Sequence, residues 1–425
     1  MNGFHRRANG LCAEGVTLAN IAREYGTPTY VYSAGAIRDR VVALNTGLGN
    51  LDHLVCYAVK ACSNIAILEL IAQAGWGFDA VSKGELWRTL KAGADPRRTI
   101  QSGVGKTDDE IDEALGVGVL YICVESGQEL AAVSARAAHL NKVARIALRI
   151  NPDVDPHTHP HISTGLKKNK FGVPHAEVIE LLSTTLTDRH IDVVGISCHI
   201  GSQITKIAPF VEATHKVIEL AGALENRGHH LTHLGVGGGL GITYVDEAPP
   251  TLAEYGASLA GLLVDSGKTI VLEPGRAIVG EAGVLLARVI RTKRGADRDF
   301  VILDAGMNDL IRPALYNAHH TIEPVAPQNA GPLAPVDVVG PICEASDTFA
   351  QDVVLPPLVS GDLVVIRAAG AYGSAMSSPY NGRSRTAEVL CDGSRSLLIR
   401  EREPLTALWR GERHLNGEPL DDDRP

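Results

Sequence analysis

From residue 54 onward, short apolar runs alternate with longer stretches in which apolar residues recur every three or four positions. Short apolar runs read as strands buried on both faces and the 3.6-residue period as one-sided helices, so the alternation predicts strand and helix in turn around a parallel sheet. The candidate strands are Leu54–Val59, Gly77–Val81, Thr99–Ser102, Val119–Val124, Ala144–Ile150, Val193–Cys198, Leu231–Val236 and Thr269–Leu272. Helical patterns lie between them at Ile65–Ala74, Glu85–Ala92, Ser126–Leu140, Ala176–Leu186, Phe210–Arg227 and Leu252–Asp265. Eight strands in about 220 residues predict a (β/α)8 TIM-type barrel over residues 36–280 rather than an open doubly wound sheet.

After Arg276 the texture changes to β-rich runs divided by Gly- and Pro-bearing turns: Leu285–Arg291, Phe300–Asp304, Val336–Val339, Leu363–Ile366, Glu388–Cys391 and Leu397–Arg400. These predict an all-β, sandwich- or barrel-like domain over residues 281–425. The first 35 residues, with a helical pattern at Leu18–Tyr25 and a strand at Thr29–Tyr32, are expected to join it. Pro324 to Pro335 reads as a loop, and Leu415–Pro425 as a frayed acidic tail.

Composition narrows the function classes. At 425 residues, 45% hydrophobic and 21% charged, the chain is an ordinary globular protein with room for two domains, and its net charge of -9 argues against a nucleic-acid partner. The seven cysteines are odd in number, scattered and without a Cys-x-x-Cys pair, which fits reduced thiols and a cytoplasmic location. No apolar run reaches the roughly 18 residues of a membrane span, and no basic-then-apolar leader opens the chain.

A barrel enzyme places its chemistry at the carboxyl ends of its strands. Here those ends read Lys60, Asp79 with Ser82, Ser102-Gly103, Glu125, Arg149, His199, Gly237-Gly238-Gly239 and Glu273. Reaching solvent explains any one of these polar ends, and explains all eight less well. A lysine delivered by a buried strand is costly to desolvate unless it is neutralised or used covalently, which makes Lys60 a candidate anchor for an aldehyde cofactor. The glycine run after the seventh strand can close backbone N–H groups on a phosphate, and it lacks the last glycine of a dinucleotide fingerprint in either frame. A carboxylate at Glu273 would hold the proton on a pyridine nitrogen, His199 suits stacking on a flat ring, and Ser202 offers a hydroxyl to the phosphate. Read structurally, Glu273 would instead pair with Arg276, and His199 would be a core histidine.

Taken in order, five segments resemble the motif series of the alanine-racemase-like (fold type III) pyridoxal-phosphate-dependent decarboxylases. They are Tyr57-Ala58-Val59-Lys60-Ala61, Phe78-Asp79-Ala80-Val81-Ser82-Lys83-Gly84-Glu85, His199-Ile200-Gly201-Ser202-Gln203, Gly237-Gly238-Gly239-Leu240-Gly241 and Glu273-Pro274-Gly275-Arg276. Ile162-Ser163-Thr164-Gly165, Lys170-Phe171-Gly172, Met307 to Tyr316, Gly340 to Asp347 and Gly370-Ala371-Tyr372-Gly373 extend the match over nearly the whole chain, and make it most similar to the diaminopimelate decarboxylase branch. The resemblance implies pyridoxal 5'-phosphate as cofactor and decarboxylation of meso-2,6-diaminopimelate to L-lysine, the last step of lysine biosynthesis. It implies that Lys60 holds the cofactor as an internal aldimine, with His199 on the ring and Glu273 at its nitrogen. Asp79, Arg149, Ser202, Gly238, Gly239, Gly275, Arg276 and Tyr372 complete the implied cofactor site. Arg276, Arg312, Tyr316, Glu344 and Tyr372 are implied to bind substrate, the arginines taking its carboxylate and Glu344 its ammonium. Cys343, the implied proton donor, and Glu344 would come from the neighbouring subunit of a homodimer.

Alternatives remain at this level. An ornithine or arginine decarboxylase would need an acid where those substrates carry a distal cation, and would have no use for Arg312. A racemase would need a second base facing Lys60, and a regulatory relative would need none of this chemistry. Cys62 stands where the family pattern leads one to expect asparagine, and the segment Asp155–Lys168 is a candidate mobile loop. His157, His159 and His161 alternate, but a proline interrupts them and no carboxylate stands at a clear ligand spacing, so no metal is expected.

Overall fold

The computed structural model describes residues 3–155, 170–326 and 332–420. Two compact units divide the chain: Arg38–Thr243 with Glu247–Ile278, and Met1–Ile37 with Tyr244–Asp246 and Val279–Pro425.

The first unit is the barrel. Its strands are β1 (His53–Ala58), β2 (Gly77–Ala80), β3 (Thr99–Gln101), β4 (Tyr121–Val124), β5 (Ala144–Asn151), β6 (Ile191–Cys198), β7 (His233–Gly237) and β8 (Thr269–Leu272). Every neighbouring pair is parallel, β8 pairs back to β1, and β4 pairs with β5, so the sheet closes with no edge inside the ring. Helices follow the strands, and several start at side-chain caps. Ser82 and Ser126 accept from the backbone N–H three residues on, while Thr107 and Thr251 form capping boxes with Glu110 and Glu254. Leu54, Cys56, Ile100, Tyr121, Cys123, Ala147, Val194 and Val271 pack into one cluster. Since six strands contribute to that cluster, it lies inside the ring, and the barrel interior is filled by side chains rather than open.

The segment read as one helix over Ala176–Leu186 is a 3-10 turn (His175–Glu177), a short α-helix (Val178–Ser183) and a second 3-10 turn (Thr184–Thr187). Ser183, Thr184 and Thr185 each turn a hydroxyl back to the carbonyl three residues earlier, which competes with continued α-helix. Among the described residues, two helices of ten residues or more escaped the sequence reading. Asp108–Val117 was announced only by its capping box, and Ala34–Leu48 by buried Ile37, Val41, Leu44 and Leu48 at helical spacing, obscured by Gly35 and Gly47.

The second unit is built on the twelve-residue strand Gly283–Arg294. Its first half lies between Thr29–Ser33 and Leu363–Ile366, and its second half pairs with Asp299–Leu303 after an irregularity between Val289 and Arg291. Thr29–Ser33 also pairs in parallel with Ala387–Asp392, which hairpins into Arg395–Arg400. Phe4–Arg7, Gly10–Ala13 and Val16–Thr17 form a small separate sheet, and Thr348–Leu355 is an outer strand beside Ala334–Val339; none of these four was read from the sequence. The stretch Pro324 to Pro335, read as a loop, has strand at both ends, Ile322–Pro324 and Ala334–Val339, with residues 327–331 outside the described set. Among the described residues no helix is long and apolar enough to cross a membrane.

Candidate active site

β1 ends at Ala58, and the 3-10 turn Val59–Ala61 carries Lys60 past the rim of the barrel. Its ammonium donates to Asp79 Oδ2 at 2.7 Å. The Asp79 side chain is 0% exposed, and burial alone would raise its pKa; the Lys60 charge and the hydroxyl of Ser102 overcome that and hold the carboxyl below its ordinary value. Lys60, Asp79, Arg149, Phe171, His199 and Glu273 line one cavity of about 290 Å³ at the carboxyl ends of the strands. Five of these six are residues that the sequence reading put at strand ends: Lys60, His199 and Glu273 lie just beyond β1, β6 and β8, and Asp79 and Arg149 lie within the last three residues of β2 and β5. Phe171 entered only as part of a motif.

Burial in this cavity moves two titrating groups in opposite senses. Glu273, just beyond β8, is pushed up to about 8 by desolvation and by the Asp79 charge, against the opposing pull of Lys60 and Arg149. His199, just beyond β6, is pushed down to about 3 by desolvation, Arg149 and Lys60. Its Nδ1 accepts from Gly238 N at 3.2 Å, which fixes a neutral ring with the proton on Nε2. A neutral flat ring, a protonated carboxyl and a lysine therefore share one space.

A close-packed glycine turn lies beside Glu273 and His199. A Cβ on Gly238 would collide with the Glu273 carbonyl and one on Gly239 with the Gly201 carbonyl, so the glycine turn, the Gly201-Ser202 loop and the Glu273-Pro274-Gly275 segment touch backbone to backbone. Arg276 Nη2 donates to Ser202 Oγ at 3.0 Å. Arg276 thus reaches Ser202, and among the described residues the plain strand-end ion pair with Glu273 that was the alternative does not form. Backbone amides, a hydroxyl and a guanidinium form a donor set suited to a phosphate, and a lysine, a carboxyl and a neutral imidazole suit a pyridine aldehyde. The residues fit pyridoxal phosphate.

The remaining candidates belong to the second unit. Arg312 is 5% exposed, with its guanidinium 5.3 Å from the Tyr244 ring and 5.7 Å from the Tyr316 ring. Tyr244 was not foreseen; it sits between β7 and β8 with no local signal. Cys343 is the exposed cysteine, and its backbone N–H donates to Asn381 Oδ1 at 2.9 Å. Glu344 accepts from Ser346 Oγ at 2.6 Å, and the Ser346 and Tyr380 hydroxyls lower its pKa. Asp347 fixes this turn by accepting from Met307 N and Ile342 N, both at 2.6 Å. Tyr372 has a left-handed backbone, φ 56°. The other six cysteines are buried thiols, among them Cys62, whose carbonyl accepts from Tyr57 OH at 3.2 Å. His157, His159, His161 and the Ile162 to Gly165 motif lie outside the described residues, as does nearly all of Asp155–Lys168.

Fold and cavity together define a barrel enzyme that uses pyridoxal phosphate. The family model described as the pyridoxal-binding domain of pyridoxal-dependent decarboxylases matches residues 34–280. The diaminopimelate decarboxylase of Pseudomonas aeruginosa is 48% identical over 412 residues, covering 97% of this chain and 99% of the relative. The crystal structure of the Helicobacter pylori diaminopimelate decarboxylase complexed with L-lysine is 42% identical, with a TM-score of 0.89 over 92% of this chain and 98% of that one. That of the M. jannaschii enzyme in co-complex with L-lysine is 34% identical, with a TM-score of 0.92 over 98% and 99%. The chain belongs to the diaminopimelate decarboxylases, within the fold type III pyridoxal-phosphate-dependent decarboxylases, and is a carboxy-lyase.

Proposed function

We propose that this chain converts meso-2,6-diaminopimelate to L-lysine and CO2, with Lys60 holding the cofactor covalently and Cys343 of a second copy supplying the closing proton. The observation that carries the reading is the convergence of Lys60, Asp79, His199 and Glu273 on one cavity at the barrel rim. The names of its relatives and the lysine bound in two solved neighbours support the substrate.

Bound pyridoxal phosphate supplies an aldehyde for amines and an electron sink for the pair released when the carbon–carboxyl bond breaks. The residues of the chain do the rest. Asp79 keeps Lys60 oriented while it is an ammonium. Glu273 would bring a proton to the ring nitrogen, since its carboxyl retains one up to about pH 8. His199, held neutral, would cover the ring without adding a positive charge that would compete for that proton. Ser202, Gly238, Gly239, Gly275 and Arg276 would hold the phosphate, and Tyr372 is the further residue that the resemblance assigns to it. Arg312, with its planar fork near the Tyr244 and Tyr316 rings, suits a carboxylate, and the substrate has a distal carboxylate to offer; the resemblance assigns Arg276, Tyr316 and Tyr372 to substrate binding as well, and Glu344 to a substrate ammonium. After loss of CO2, the Cys343 Sγ of a second copy would give its proton to the α-carbon, leaving a thiolate that solvent reprotonates. The exposed positions of Cys343 and Glu344 suit residues that serve a neighbouring copy in a homodimer.

Cys343→Ala should keep the absorbance of the bound cofactor and lose most lysine formation; full activity in that variant would remove Cys343 from the reaction. Mixing Lys60→Ala chains with Cys343→Ala chains should restore activity through one intact hybrid site. No recovery after verified subunit exchange would contradict sharing between copies.

A further inference from the structure

Glu125, the residue after β4, holds two groups at once. Its Oε1 accepts from Arg149 Nη1 at 2.9 Å and its Oε2 from Gly172 N at 3.1 Å, with the carboxylate side chain 1% and the arginine side chain 12% exposed. Arg149 leaves the end of β5 with its guanidinium 4.8 Å from the Phe171 ring, and both line the cavity with Lys60 and Glu273. Behind Glu125 stands a second layer. Its backbone N–H donates to Glu129 Oε2 at 2.6 Å, and Glu129 Oε1 takes Lys106 Nζ at 2.7 Å. Lys106 is itself 1% exposed and donates to the carbonyls of Gly103 and Cys123, both at 2.6 Å. A buried carboxylate is retained only when a cation and further donors satisfy it, and here the donors come from two separate elements.

We infer that Glu125 is a positioning residue for the cofactor, acting through Arg149. The carboxylate fixes one nitrogen of the guanidinium and the Phe171 ring covers its face, so a side chain with large rotamer freedom is already ordered when the cofactor arrives. The bond to Gly172 ties the same carboxylate to the backbone beside Phe171, making Arg149 and Phe171 one wall of the cavity. The negative charge also offsets Arg149 in a space that contains Lys60. The inference rests on the reading that Arg149 is a cofactor-binding residue.

The test is a double-mutant cycle on the dissociation constant of pyridoxal phosphate, read from cofactor absorbance on full-length protein with no substrate present. Glu125→Gln removes the charge while keeping an acceptor for Gly172. Arg149→Gln should weaken cofactor binding about tenfold or more, Glu125→Gln should do nearly as much, and the double variant should be no worse than Arg149→Gln alone, as for residues acting as one unit. Wild-type affinity in Glu125→Gln, or losses that multiply in the double variant, would overturn the inference while leaving Arg149 in place. An unchanged affinity in Arg149→Gln would overturn the reading beneath it. Should Glu125→Gln fail to fold, Glu125→Asp keeps the charge but retracts it by one carbon. A loss matching that of Arg149→Gln supports the role, and wild-type affinity contradicts it.

Discussion

Burial acts on Glu273 and His199 in opposite directions because it disfavours whichever form is charged, and the resulting proton positions are those a pyridine ring requires. The sign of the pH dependence follows. Glu273 is raised from 4.5 to about 8, so the stability it contributes is fully present below pH 4.5 and is lost as pH rises through about 8. His199 is lowered from 6.5 to about 3, so its contribution is present above pH 6.5 and is lost as pH falls through about 3. Glu273→Gln removes only the alkaline loss. In cofactor-free protein, the melting temperature of Glu273→Gln should therefore rise relative to wild type between pH 5 and pH 8.5, whereas parallel curves would show that Glu273 titrates normally. At this scale the sequence exposed Lys60, His199 and Glu273 because each follows an apolar run, and Asp79 because it is a charge inside one. Phe171 and Tyr244 were hidden because nothing local marks a loop aromatic as the neighbour of a distant arginine.

The strand-to-loop junctions carry the chemistry at the scale of elements. The glycine turn after β7 is as tight as it is because three backbones meet there: its own, the Gly201-Ser202 loop and the segment after β8. Gly238→Ala places a methyl group against the Glu273 carbonyl. It should cost about 1–3 kcal/mol of stability, in line with overpacking elsewhere, and weaken cofactor binding; thermal melts and a cofactor titration check both, and wild-type values in the two would show that the turn has slack. The barrel strands were legible because strands buried on both faces are continuous apolar runs. The helix Asp108–Val117 was less so, since its acidic first turn hides its buried positions Ile111, Ala114 and Leu115. The outer strand Thr348–Leu355 mixes polar and apolar residues, and among the described residues it pairs with a single strand, Ala334–Val339.

For the whole molecule, the barrel repeats a local rule whereas the second unit depends on pairings between remote segments. Thr29–Ser33 is inserted between Gly283–Arg294 and Ala387–Asp392, an arrangement that no local pattern specifies, which is why that unit could be anticipated only as β-rich. The chemistry proposed for it comes from a different source. Arg312, Tyr316, Cys343, Glu344 and Tyr372 were singled out through resemblance, and none of them would have stood out from composition or periodicity. What the full set of residues does together is a question of turnover. The decisive measurement is CO2 and lysine formation by purified, pyridoxal-phosphate-loaded protein given meso-diaminopimelate, with ornithine, arginine and lysine as parallel substrates. Turnover of meso-diaminopimelate alone is the predicted result. Release of CO2 from ornithine or arginine with none from meso-diaminopimelate would contradict the substrate reading and the roles of Arg312 and Glu344, while leaving the barrel and its cofactor as described.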